Sequence, residues 1–143
     1  MPRFQHTQKV NATPEQVWLI LGDLSKVDQW IPGITSVRVQ GKRERICTFA
    51  NGAVQHEEIS DYSDDTRAYS YHIEGSPLPV KNNRGRFQVQ VEGTGARIVW
   101  DSEFDALDPA QEAQLVEIWA GAAQGVLQSL VQLVERAEAD RRR

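Results

Sequence analysis

The sequence has few of the residues that build covalent or metal-based sites. It contains one cysteine, Cys47, which excludes an internal disulfide, and its three histidines, His6, His56 and His72, are too dispersed to match a zinc motif. It also lacks a phosphate-binding loop, a dinucleotide fingerprint and a serine-nucleophile elbow. We therefore expect no metal and no cofactor.

Long apolar runs and an excess of positive charge are absent as well. No apolar stretch approaches the roughly 20 residues that cross a membrane, and no signal-peptide pattern opens the chain. The 20 acidic residues outnumber the 16 basic ones, for a formal net charge of −4, which argues against a nucleic-acid surface. We expect a cytoplasmic protein with no integral membrane segment and no nucleic-acid partner.

The chain length of 143 residues suits one domain, 1–143, that is large enough to bury its own core. The sequence contains no linker, repeat or low-complexity tract. Both a monomer and a homodimer remain open, because no exposed apolar stripe demands a partner.

A long amphipathic helix is the clearest element that is present. Asp108 is a typical N-cap, Pro109 suits the first helical position, and Gln111 follows the cap as in a capping box. Small residues from Gly121 to Gly125 predict a point where a ligand or a bulky partner approaches closely. Apolar residues recur at steps of three and four: Leu115, Ile118, Trp119, Ala122, Val126, Leu130, Leu133, Val134 and Ala137.

The rest of the chain alternates like strands, apart from two short helices. Thr13, Pro14 and Gln16 supply a capping box before the first helix, and a second helical turn is predicted over 27–30. Hairpin-sized turns separate most of the strands, which should therefore pair antiparallel with their neighbours. The longest gap, 75–83, is predicted to be a loop, and the stretch 82–86 is basic and turn-like. The seven predicted strands are 4–10, 37–39, 45–49, 54–62, 68–73, 85–92 and 96–107.

This order of elements resembles the helix-grip fold of the START and Bet v 1 (SRPBCC) superfamily, and within it the polyketide cyclase/dehydrase-type group. The resemblance covers nearly the whole chain and rests on the order of its short motifs. It implies an α+β fold, in which a curved seven-stranded antiparallel sheet wraps around the C-terminal helix. The motifs are Ala12-Thr13-Pro14-Glu15-Gln16-Val17-Trp18, Trp30-Ile31-Pro32-Gly33, Glu58, Tyr71, Leu78-Pro79-Val80 and the strand from Trp100 to Phe104.

Side-chain alternation predicts which strand residues face the helix and line a pocket. Tyr69, Ile73 and Val91 are expected inward with the pocket residues, while the acidic row Asp101, Glu103 and Asp105 is expected outward, in water. The predicted ligand-binding residues are Trp30, Tyr62, Tyr71, Leu78, Phe87, Val89, Trp100, Phe104, Trp119, Ala122, Ala123 and Val126.

Strand 54–62 is the one that does not alternate cleanly. One face carries His56, Glu58, Ser60 and Tyr62, and the other includes Ile59. If the resemblance places Glu58 inward, His56, Glu58, Ser60 and Tyr62 form a polar wall of the pocket, and the desolvated Glu58 carboxylate is expected to act as a general acid or base or to hydrogen-bond a ligand hydroxyl. Two alternatives stay open: Glu58 pairs with an arginine such as Arg45, or Ile59 is the inward residue and Glu58 is solvated.

Two further segments frame the expected pocket mouth. The loop 75–80 presents Leu78 between two prolines, and it resembles the gating loop of hormone receptors in this superfamily. The alternative is that Leu78 is a permanent part of the core. Trp30 is either the facing rim or plain core.

Together these features predict a domain that binds a small hydrophobic molecule, lipid-like, aromatic or polyketide-like, between sheet and helix. Whether it is an enzyme is left open. For an enzyme, the resemblance implies cyclisation or dehydration of a polyketide with Glu58 or His56 as proton carrier. The alternative function is a non-catalytic protein-interaction module of the chaperone-stimulating or quinone-linked type.

Overall fold

The computed structural model describes residues 2–142, so that Met1 and Arg143, the ends of the predicted domain, lie outside the described residues. The chain begins with β1 (Arg3–Val10), α1 (Pro14–Leu21) and a 3-10 helix (Leu24–Gln29). It ends with a 3-10 turn (Pro109–Gln111) that leads into α2 (Glu112–Arg141). The strands between them are β2 (Ile34–Gln40), β3 (Glu44–Phe49), β4 (Val54–Ser63), β5 (Ala68–Glu74), β6 (Val80–Glu92) and β7 (Gly95–Ala106).

All seven strands form one antiparallel sheet in the order β1-β7-β6-β5-β4-β3-β2. Six strands are a meander, and β1 closes the order by pairing with the last of them. Helix α2 packs against β1, β7 and α1. The predicted helix-grip architecture is confirmed, because the order of the elements and all the antiparallel strand pairings that it requires are present.

The two predicted capping boxes have different outcomes. At α1, Gln16 N donates to Thr13 Oγ1 at 3.2 Å and Thr13 N donates to Gln16 Oε1 at 2.8 Å, which confirms the box. Before α2, Asp108 accepts a hydrogen bond from Ala110 N at 3.0 Å instead. That contact tightens the first turn into 3-10 geometry, so the box predicted with Gln111 is wrong.

Strand β6 begins five residues earlier than predicted, inside the segment expected to be a loop. Asn82 has a φ of 52°, and the register between β6 and β7 shifts between Lys81 and Arg84. Such a bulge adds an unpaired residue while the strand continues on both sides. The turn-like composition around Asn82 therefore marks a bulge within the strand.

The core lies between α2 and the concave face of the sheet, but two predictions of inward side chains are wrong. On α2, Ile118 is 46% exposed, and Gly121, Ala122 and Gly125 are exposed too, because the first half of the helix buries a narrower stripe. On β6, Val91 is 68% exposed, since it lies beside the β6–β7 turn beyond the covered part of the sheet. The buried residues of α2 are Leu115, Ala123, Val126, Leu127, Leu130, Val134 and Glu138.

Candidate ligand-binding site

Aromatic side chains cover the inner face of the sheet. The ring centroid of Phe87 lies 4.8 Å from that of Trp100, 5.6 Å from that of Tyr69 and 5.8 Å from that of Tyr71. From α2, Trp119 meets the Trp100 ring edge-on at 5.3 Å. We call this set, with Phe104, the aromatic wall. Its rings meet at the distances that favour offset and edge-on contacts.

The register of the strands assembles this wall. Phe87 lies opposite both Tyr69 and Trp100, and Gly85 lies opposite Tyr71. A Cβ at position 85 would come within 2.6 Å of Tyr71 Cζ and of the Asp101 carbonyl oxygen. Glycine is therefore needed here, because the Tyr71 ring lies across the bare backbone of β6.

Two hydrogen bonds, one buried and one partly buried, hold the tryptophan rings of the wall. Trp100 Nε1 donates to the Tyr71 hydroxyl at 2.8 Å, and Trp119 Nε1 donates to Ser102 Oγ at 3.1 Å. Burial raises the pKa of Tyr71, so its hydroxyl remains neutral at physiological pH. The two indoles occupy the interior beside the first half of α2. The hydroxyls of Tyr71 and Ser102 are the polar groups in that part of the interior.

A polar cluster lies under the 3-10 helix, on the inner face of β3, β4 and β5, and it shares Tyr69 with the aromatic wall. Arg45 and Glu57 are 1% and 4% exposed, and their two-pronged ion pair has N–O distances of 3.2 and 2.8 Å. Arg45 also donates to the Leu24 carbonyl at 3.3 Å and to the Tyr69 hydroxyl at 3.5 Å. Cys47 Sγ donates to Glu57 at 3.3 Å. We call these residues the Arg45 cluster.

The Arg45 cluster is chemically closed. Burial works against the positive charge of Arg45, but the oxygens of Tyr69 and Glu57 outweigh it and raise its pKa. Burial, followed by the nearby Glu57 carboxylate, raises the pKa of the Cys47 thiol to about 12. Each charge has its partner, and the thiol stays protonated, so this cluster is suited to structure more than to nucleophilic chemistry.

Strand β4 turns its odd-numbered face inward. Glu57 and Ile59 are buried, whereas His56 and Glu58 are exposed on the outer face. The even-numbered polar wall is therefore wrong, and so is a pairing of Arg45 with Glu58. Arg45 was the sequence signal that pointed to Glu57. Arg45 lies on the same face of β3 as Cys47, and the register between β3 and β4 places Arg45 directly opposite Glu57.

The outer face of the sheet holds Glu58 in an open, charged depression of about 740 Å³, which Ser60, His72 and Arg84 also line. The predicted acidic row lies nearby, but it is paired. Glu103 binds Arg3 at 2.9 Å and also Arg84. Asp101 accepts from Gln5 at 2.9 Å, and Asp105 accepts from Asn82 at 2.8 Å. These contacts correct the picture of a merely solvated row.

The remaining predicted pocket residues are divided between core and rim. Leu78 is half-buried and packs against Phe104 and Leu115, a small cluster that shares Trp119 with the main core. Trp30 is core and not rim. Tyr62 is half-buried at the edge of the core, where its ring stacks on Tyr69 with 6.1 Å between the centroids and its hydroxyl donates to the Gly22 carbonyl at 2.6 Å.

The structure thus brings together most of the predicted pocket residues and leaves Ala122 outside on the helix surface. Val89, Ala123 and Val126 belong to the same core as the aromatic wall. Within 2–142, no three histidine, cysteine, aspartate or glutamate side chains are grouped to hold a metal ion. Over the same range, no helix has the length and apolarity to span a membrane.

Known proteins share this fold along the whole chain. Residues 1–136 match the model of the family described as polyketide cyclase/dehydrase and lipid transport. XoxI from Bacillus cereus is 26% identical, with a TM-score of 0.83 over 96% of this chain and 99% of that chain. No curated protein sequence matches this chain.

Two structures with lower identity show the same architecture. The di-domain ARO/CYC BexL from the BE-7585A biosynthetic pathway is 19% identical, with a TM-score of 0.78 over 94% of this chain and 47% of that chain. Norcoclaurine synthase from Thalictrum flavum, in complex with dopamine and hydroxybenzaldehyde, is 16% identical, with a TM-score of 0.72 over 94% of this chain and 87% of that chain.

Proposed function

The chain belongs to the polyketide cyclase/dehydrase and lipid transport family, and from that premise we propose that it binds a small, flat, apolar molecule between α2 and the concave face of the sheet. The aromatic wall carries this proposal. Its six rings come with only a few polar groups, which is the composition of small-molecule pockets. Most of these rings are packed against one another and buried, so that a ligand enters only when a ring moves aside. The structure of norcoclaurine synthase, which has the same fold, is a complex with two small aromatic molecules, dopamine and hydroxybenzaldehyde.

Trp119 is the side chain that would move to admit the ligand. It is half-buried, and it contacts both the main core and the small cluster of Leu78, Phe104 and Leu115. One hydrogen bond to Ser102 Oγ holds its indole. Beside it on α2, Ile118 and Ala122 are exposed. A rotation of the Trp119 ring would therefore open the interior at the surface of the molecule and uncover the Trp100 ring.

Binding, without a committed reaction, is the function that these positions support. Glu58 and His56 lie on the outer face, away from the aromatic wall, so their expected role as proton carriers has no support from their location. On the inner face, Glu57 is engaged by Arg45. The hydroxyls of Tyr71 and Ser102 are left to orient a bound molecule by hydrogen bonds.

Native mass spectrometry of gently purified protein tests the proposal, together with titration of the fluorescent dye 1-anilinonaphthalene-8-sulfonate, an anion whose aromatic rings bind apolar pockets. We expect either a copurified small molecule or saturable dye binding at one site. Ala123→Phe, at a fully buried position of α2, should abolish dye binding by filling the interior. Gly121→Phe, where no atom lies within 4 Å of the added Cβ, is the matched control and should retain it.

Two results would count against the proposal. The first is a protein that carries no extra mass and binds no dye. The second is equal loss of dye binding in both variants while circular dichroism shows both to be folded. Either result would favour the alternative of a protein-interaction module with a filled core.

A further inference from the structure

The four tryptophans of the chain differ in how their indole N–H groups are satisfied. Trp18 Nε1 donates to Asp64 at 2.7 Å, Trp100 Nε1 to the Tyr71 hydroxyl at 2.8 Å, and Trp119 Nε1 to Ser102 Oγ at 3.1 Å. Trp30 is 1% exposed, and its Nε1 has no hydrogen-bond partner within the described part of the chain. The most deeply buried indole is thus the one whose donor is unpaired.

Trp30 is held in the same interior as the aromatic wall. It follows the 3-10 helix, where its backbone N–H donates to the Val27 carbonyl at 3.2 Å. Its ring meets Phe87 edge-on, with 5.6 Å between the centroids, and Phe87 stacks in turn on Trp100. A molecule that occupied the interior beside Phe87 would therefore come close to the Trp30 indole.

A buried donor without a partner destabilises a protein, and native structures contain few of them. The nearby Arg45 guanidinium shows how fully a buried donor can be paired in this interior, since it contacts Glu57, Leu24 and Tyr69. Within the described residues, the other buried side-chain nitrogen without a partner is His6 Nδ1, on β1. A group that is left unpaired in such surroundings calls for an explanation. One explanation is that a ligand bound beside the aromatic wall supplies the hydrogen-bond acceptor.

We infer that the Trp30 indole N–H is a ligand-recognition donor, and that the ligand is a flat apolar molecule carrying a hydrogen-bond-accepting oxygen, such as a ketone. This rests on the proposed function and narrows its ligand class. The ketone oxygen accepts the Trp30 hydrogen bond while the rings of the ligand pack on Phe87. A hydrocarbon of the same shape leaves the donor unpaired and binds more weakly.

A matched pair of probes tests the inference: 9-fluorenone and fluorene differ only in a carbonyl in place of a methylene group. We expect the native protein to bind 9-fluorenone about tenfold more tightly than fluorene, the ratio that corresponds to one hydrogen bond. In Trp30→Phe, which keeps an aromatic ring and removes the donor, the ratio should fall to about one. In the control Trp18→Phe, which removes a half-buried indole whose N–H is already paired with Asp64, it should stay near ten.

The outcomes separate the inference from the function on which it rests. If both probes bind and Trp30→Phe leaves their ratio unchanged, the inference is overturned while the proposed function stands. If neither probe binds the native protein, both fail.

A measurement on the native protein covers the case in which Trp30→Phe does not fold. In ¹⁵N-labelled protein, the assigned Trp30 indole N–H resonance should shift downfield on saturation with 9-fluorenone, and much less with fluorene. Equal shifts with the two probes would overturn the inference.

Discussion

The two ends of the protein interior are built on different principles. At the Arg45 cluster, polar atoms are deeply buried and paired with one another, and their geometry is set by the register of β3 with β4. At the aromatic wall, single hydrogen bonds hold each indole, and Trp119 is only half-buried. The difference indicates that the polar end anchors the fold, whereas the aromatic end is the part that our proposal expects to rearrange around a ligand.

The largest expected effect comes from breaking the ion pair of the Arg45 cluster. Glu57→Gln leaves the Arg45 charge buried without its carboxylate, and should lower the free energy of unfolding by about 3–5 kcal/mol. Urea denaturation followed by circular dichroism measures this. Glu58→Gln, on the exposed outer face of the same strand, is the matched control and should change it by less than about 0.5 kcal/mol. Similar losses in both variants would remove the distinction between the two faces of β4.

The second effect is a loss of folding stability at alkaline pH, caused by the thiol of the Arg45 cluster. The folded Cys47 thiol has a pKa of about 12 against an ordinary 9.0, so between these values the native state holds a proton that the unfolded state has lost. This contribution to stability is fully present below pH 9 and is lost as the pH rises towards 12, by at most about 1.4 kcal/mol per pH unit. Cys47→Ser should make the stability profile less steep between pH 9 and 10, below the range in which Tyr62, Tyr69 and Tyr71, whose pKa values burial also raises, contribute. A profile identical to the native one would contradict the closed environment assigned to the thiol.

The third effect tests how tightly the aromatic wall is packed against the sheet. Gly85→Ala drives a Cβ into the Tyr71 ring and the Asp101 carbonyl, and should cost about 1–3 kcal/mol of stability, the usual range for overpacking. Gly121→Ala, on the open surface of α2, should instead stabilise by about 0.5–1 kcal/mol because alanine favours a helix. Thermal unfolding of both variants gives the comparison, and a tolerated Gly85→Ala would mean that Tyr71 has room to move.

The smallest effect concerns the hold on Trp119. Ser102→Ala removes the acceptor of its indole N–H, and should cost about 1 kcal/mol since Trp119 is half-buried and can turn to water. The same change should strengthen dye binding, because it loosens the side chain proposed to open the interior. Stability loss without any gain in dye binding would place the opening elsewhere.

Local sequence patterns predicted the elements correctly where the residues favour a single backbone conformation. Thr13, Pro14 and Gln16 form the α1 cap as expected, since all the atoms involved lie within one turn. Asn82 misled the prediction, because a residue that tolerates positive φ serves equally in a turn and in a bulge. Which of the two occurs depends on whether β7 continues alongside, and that is decided far away in the chain.

The candidate site was predicted in part for the same reason. Phe87 and Trp100 were placed inward because their strands alternate cleanly. Strand β4 offers two mixed faces, so its own residues do not choose between them. The orientation of β4 follows from Arg45 on the neighbouring strand β3, because the buried Arg45 side chain needs Glu57 as its partner. Ile118 and Ala122 match the helical period, but only the curvature of the sheet determines how wide a stripe of α2 it covers.

The sequence by itself determined the order of the elements, the antiparallel meander, the long C-terminal helix and most of the inward rings, because periodicity and capping act over a few residues. Only the tertiary structure decided which face of β4 is buried, which carboxylate pairs with Arg45 and which indole remains unpaired. Those outcomes depend on contacts between strands and helices distant in the chain, where a buried polar group is stabilised or left unsatisfied according to what the fold brings within hydrogen-bonding distance.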